Sequence, residues 1–108
     1  MAFVYLLCDG GQDNVFKIGV TRGSIEKRIK KLQTGNGEEI YLTSYYETDY
    51  PFLIEKFMHQ KYTVNKKLNE WFHLDADDVI HFKDNCADFE KTIECLKTNY
   101  YFKKKIKK

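Results

Sequence analysis

Little in this sequence points to covalent staples, a membrane or a repeat. The three cysteines, Cys8, Cys86 and Cys95, are odd in number and far apart, forming neither a CxxC pair nor a zinc-ligand spacing. That usage argues against a disulfide scaffold and fits a reducing, intracellular setting. No apolar run approaches the roughly 20 residues that span a bilayer. The first strand-like run starts so early that it leaves no room for a signal or transit peptide. The expectation is a soluble, cytoplasmic protein with no membrane partner. Internal repeats and low-complexity segments are absent apart from the lysine-rich end, Lys103-Lys104-Lys105-Ile106-Lys107-Lys108. Net charge is small too, at +2 over 108 residues, so bulk electrostatics do not announce a nucleic-acid partner.

What is present is a chain of one-domain length, 43% hydrophobic and 16% aromatic, with enough bulky side chains to build a core. Charge is placed unevenly. Lys27, Arg28, Lys30 and Lys31 cluster early, whereas Asp75, Asp77 and Asp78 lie together later, which gives the chain a basic side and an acidic side.

Phe3–Cys8 and Val15–Val20 read as two strands joined by Asp9–Asn14, whose Gly, Asn and Asp residues supply turn chemistry, so the pair is expected as an antiparallel hairpin. Gly19, inside the second strand, marks a bulge or a place where something approaches the backbone closely. Ser24 offers an N-cap for a helix in which Ile25, Ile29 and Leu32 share one apolar face. Thr34-Gly35-Asn36-Gly37 stops it. Ile40–Glu47 reads as a third strand, and its Tyr41, Tyr45 and Tyr46 divide between core packing and surfaces on which bases stack.

Asp49-Tyr50-Pro51 starts the next helix, with Phe52, Leu53, Phe57 and Tyr62 toward the core and Glu55 one turn before His59. Residues 65–69 are a polar connector, and Glu70–Leu74 a short extended aromatic segment or turn. From the N-cap Asp75 onward, Val79, Phe82, Cys86, Phe89, Ile93, Leu96 and Tyr100 recur in steps of three and four, predicting one long amphipathic helix laid across its own domain. So narrow a stripe is also what a homodimer through the C-terminal helix would use, and this is the minority reading.

This ordered set resembles the GIY-YIG nuclease superfamily, most closely its compact phage and viral branch, over residues 3–80. Tyr5 of Phe3-Val4-Tyr5 matches the tyrosine of GIY. Lys17-Ile18-Gly19 matches YIG with lysine in place of tyrosine. Thr21, Ile25 and Arg28 resemble the helix that carries the family's arginine. Thr34-Gly35-Asn36, Glu55 with His59, and Glu70-Trp71-Phe72 resemble its later landmarks, and Asn69 loosely matches a late polar residue.

The resemblance implies an α/β (α+β) fold with a three-stranded antiparallel sheet flanked by helices. Residues 1–82 would form the nuclease domain, and residues 83–108 the continuation of the last helix and a basic tail. It also implies hydrolysis of a DNA phosphodiester with Mg²⁺ (or Mn²⁺). Glu55 is then the metal ligand, and Tyr5, Lys17, Arg28, His59 and Glu55 form the catalytic set. Beside that set, Arg22, Lys27, Lys30 and Lys31 are candidate nucleic-acid contacts, the lysines reading either as a solvated face or as nonspecific attraction to the backbone that weakens with salt. Arg28 would steady the phosphate by charge-assisted hydrogen bonds. Tyr5 would position or deprotonate the attacking water, which needs a phenol with a lowered pKa. Lys17 would stabilise the phenolate, touch the phosphate or act as base itself. His59 would shuttle a proton or support Glu55. The alternative is a scaffold without turnover that binds nucleic acid or a protein partner.

Overall fold

A computed structural model describes residues 1–68 and 70–97. Asn69, Tyr100 and the lysine-rich end lie outside the described residues. The order of elements is β1 (Phe3–Asp9), β2 (Val15–Thr21), α1 (Ile25–Thr34), β3 (Ile40–Glu47), α2 (Pro51–Lys61), β4 (Lys66–Leu68), β5 (Trp71–His73), α3 (Ala76–Ile80) and α4 (Phe82–Leu96), with a single 3-10 turn at Thr63–Asn65 before β4.

The first two strands form the expected hairpin, pairing Phe3 with Thr21 through Cys8 with Phe16. In its connecting loop, Asn14 takes φ 60°, the left-handed conformation that Asn tolerates well. β3 pairs with the other edge of β1, with a register shift between Leu6 and Leu7. The resulting α+β sheet is antiparallel and five-stranded, in the order β3-β1-β2-β5-β4, rather than three-stranded. The two extra strands are three residues each and too short to show an alternation. One of them, Lys66-Lys67-Leu68, is a polar edge strand, a composition that discourages further pairing.

β1 lies between two strands and is covered on both faces, which explains four consecutive buried residues, Val4 to Leu7. Val4 and Leu6 join Ile18, Phe72, Ile54, Met58, Phe82, Cys86 and Ile93 in the larger core, beneath α2 and α4. Tyr5 and Leu7 point the other way, to Ile40, Ile29 and Leu32 beneath α1. Full burial of each large apolar side chain contributes about 1.5–3 kcal/mol.

Ser24 caps α1, its Oγ accepting from the Lys27 N–H at 3.3 Å. At α2, Asp49 is not the cap. The first helical turn follows Tyr50, and the Thr48 hydroxyl accepts from the Tyr50 N–H at 3.0 Å. Phe52 is 55% exposed rather than packed, because the buried face of α2 is set by Ile54 and Met58. The predicted long helix is two helices broken at His81. A capping box between Asp75 and Asp78 starts α3, and α4 begins at Phe82. The stripe survives the break because Phe82, Cys86 and Ile93 keep their spacing, and all three are buried in the domain's own core. Among the described residues, no helix is long and apolar enough to cross a membrane.

Candidate active site

The site lies where β5 leaves β2. Their pairing covers only Val15–Lys17 against Trp71–His73. Beyond it, the Ile18 N–H donates to the Glu70 carbonyl at 3.2 Å. The next polar group on that edge, the Ile18 carbonyl, is taken by a side chain, His59 Nε2 at 2.9 Å. Because a carbonyl only accepts, Nε2 carries a hydrogen and any lone pair on the neutral ring sits on Nδ1. The ring of Phe72 meets the imidazole edge-to-face with centroids 5.0 Å apart, so His59 is fixed by both a hydrogen bond and packing.

One helical turn before His59, Glu55 places Oε2 4.0 Å from His59 Nε2. Burial chiefly raises the pKa of Glu55, and the nearby Glu70 charge adds to this, while His59, Lys17 and Arg28 oppose it. Lys17 is partly buried and stands 3.9 Å from Glu70 Oε1, its Nζ 5.6 Å from the centroid of the Trp71 ring. One ligand atom each from Glu55, His59 and Glu70 lie within 4.8 Å of one another. The donor set of two carboxylates beside an imidazole suits a hard divalent cation.

From the opposite face of the hairpin, Arg28 Nε donates to the Tyr5 hydroxyl at 3.4 Å. Tyr5 is buried, and burial raises its pKa although the Arg28 hydrogen bond pulls the other way. The same contact raises the pKa of Arg28 further. Gly19, paired with Tyr5 across the hairpin, gives space to the Tyr5 ring itself rather than to an incoming group.

Tyr5, Lys17, Arg28, Glu55 and His59 thus come from four separate elements to one region. The nucleic-acid candidates are more dispersed. Lys31 lines a cavity of about 270 Å³ with Lys17 and Trp71. Lys27 and Lys30 are exposed on α1. Arg22 stacks over Phe52, 5.1 Å from the ring centroid. In the sequence Glu70 reads as the start of a short aromatic segment, and its closeness to Glu55 is missed. The pairing of Lys17 with Trp71 sets the residue before Trp71 beside Ile18 in the middle of β2, and no local sequence pattern signals it.

No curated protein and no solved structure matches the chain. A family model described as the T5orf172 domain matches residues 2–95, nearly all of the described structure. With that match over most of its length, the chain belongs to the T5orf172 domain family, a domain found in phage and related endonuclease-like proteins.

Proposed function

We propose that this chain is a GIY-YIG-type endonuclease that hydrolyses DNA phosphodiester bonds with Mg²⁺ or Mn²⁺. The observation that carries this reading is the convergence of the partly buried Glu55 carboxylate, His59, Lys17 and the Arg28–Tyr5 pair where β5 leaves β2. Glu55 would hold the cation. When bound, the cation supplies Lewis-acid stabilisation of charge on the phosphodiester.

The chain's own groups divide the remaining work. Arg28, kept cationic by its contact with Tyr5, donates to a phosphate oxygen. Tyr5 orients that guanidinium rather than taking a proton. His59 is held by Ile18 with its Nδ1 lone pair unclaimed by that bond, which suits it to move a proton near Glu55. Lys17 adds positive charge to oppose the negative charge that develops on the leaving oxygen.

The test is nicking of supercoiled plasmid by the pure chain with Mg²⁺, beside a chelator control, Glu55→Ala and Arg28→Ala. Metal-dependent nicking by wild type that disappears in both variants is expected. Nicking that survives both substitutions overturns the reading.

A second reading, a binding module without turnover, is favoured by one feature: Lys17 stands where the family pattern has tyrosine, and the remaining Tyr5 phenol has a raised pKa. Salt-sensitive DNA binding without cleavage in any divalent metal would select it.

A further inference from the structure

We propose that Glu70 is a second carboxylate ligand of the divalent cation and gives up its ion pair with Lys17 to become one, so that cation binds before DNA does. This rests on the metal-dependent reading of the site and adds to it a ligand and an order of events.

Three observations carry the inference. The first is reach. Oxygens of Glu55 and Glu70 stand within 4.8 Å, and two oxygens on opposite sides of one ion are separated by roughly 4–5 Å, so a single cation fits between them with little backbone movement. His59 shares this cluster, but the Nε2 hydrogen given to Ile18 removes that nitrogen from ligation and leaves the two carboxylates as the strong donors.

The second is anchoring. The Glu70 carbonyl is fixed by the Ile18 N–H at 3.2 Å, while its side chain is 42% exposed. The third is the looseness of its present partner. At 3.9 Å the Lys17–Glu70 contact exceeds hydrogen-bond distance, so exchanging it for a cation sacrifices little. Lys17 does not depend on Glu70 for its place, since it also lies over the Trp71 ring. Once Glu70 turns to the cation, the Lys17 ammonium is released to an incoming phosphate, and metal and DNA binding become coupled.

The experiment is calorimetric titration of Mn²⁺ into the full chain without DNA, for wild type, Glu55→Gln, Glu70→Gln and Lys17→Met, with circular dichroism confirming that each is folded. The expected result is binding by wild type, a loss of about tenfold or more in both glutamine variants, and tighter binding in Lys17→Met, where the competing cation is gone. Opposite signs for Glu70→Gln and Lys17→Met separate ligation from a merely structural ion pair, because breaking a structural pair weakens binding from either side. Weakening in both therefore overturns the proposal. Unchanged affinity in Glu70→Gln beside a loss in Glu55→Gln overturns it too, while leaving Glu55 as the ligand. Absence of Mn²⁺ binding by wild type without DNA overturns the order of events, and the plasmid assay then judges the nuclease reading by itself.

Discussion

The Tyr5 ring lies across Gly19 so closely that a Cβ built on the glycine would stand 2.5 Å from the phenol oxygen and 2.6 Å from the ring carbon that bears it. The two residues face each other across the β1–β2 hairpin, and the vacancy at Gly19 allows the hydroxyl to reach Arg28 on α1. The glycine inside the strand is there for a side chain of the same sheet. Through Tyr5 it bears on the position of the Arg28 guanidinium on α1.

Gly19→Ala is accordingly expected to damage the site out of proportion to one methyl group. Tyr5 is buried and has no open side to retreat to, so the overpacking costs about 1–3 kcal/mol. For a domain of this size, each kcal/mol lowers Tm by about 4–8 °C. Thermal melting checks the stability, and plasmid nicking at a temperature where the variant stays folded checks the function. A variant as stable and as active as wild type would mean that the Tyr5–Gly19 packing does not set the site.

Tyr5→Phe and Arg28→Ala separate positioning from contact with the phosphate. Removing the donor itself is expected to lower kcat by about 10²–10³. Removing only the hydroxyl that receives Arg28 Nε should cost less and, on the proposal that Tyr5 orients Arg28 rather than taking a proton, should leave the shape of the pH–rate profile unchanged. The double variant should lose little more than Arg28→Ala alone, since the two residues act as a unit. Disappearance of the basic limb of the profile in Tyr5→Phe would instead return the phenol to the role of base.

Much of this fold is legible in the sequence, for identifiable reasons. The hairpin, α1 and β3 are long enough to display a period of two or a 3.6-residue face. The Ser24 and Asp75 caps are chemical signals readable one residue at a time. Lys66–Leu68 and Trp71–His73 are too short for any period, so the first reads as a polar connector and the second only as a short extended segment or turn. The break at His81 leaves no trace because the apolar stripe passes through it in step. Within the site, Glu55 and His59 are one helical turn apart and can be read locally. Glu70 reaches them only through the pairing of β5 with β2, a long-range fact no local pattern carries.

Glu55 is expected to weaken the metal-free fold at neutral pH. Burial raises its pKa above the unfolded value, so folding favours the neutral acid. The stability linked to this group is complete below the ordinary glutamate range, about pH 4.3, and is lost as pH rises through the raised folded value. Glu55→Gln, which stays neutral, should therefore melt higher than wild type at pH 7 in a chelator, with the advantage vanishing below about pH 4. Mg²⁺ should raise Tm in wild type and much less in the variant. Equal melting of the two proteins across this range would show that the partly buried carboxylate carries no ionisation cost.

Lys27, Lys30 and Lys31 are expected to act on DNA through charge alone. Lys27 and Lys30 are exposed on α1, and Lys31 faces the cavity shared with Lys17 and Trp71. Changing one of these lysines to glutamine removes one cation from the phosphates and should flatten the slope of log affinity against log salt by about 1. The weakening should be uniform across DNA sequences, because phosphate contacts carry no base information. Lys31→Gln should also slow cleavage at saturating DNA, since it alone of the three borders the cavity beside Lys17, whereas Lys27→Gln and Lys30→Gln should recover wild-type turnover once DNA is raised. Fluorescence anisotropy at several salt concentrations reads the slopes, and nicking at saturating plasmid reads turnover. Unchanged slopes in all three variants would place the DNA on another face of the molecule, away from α1.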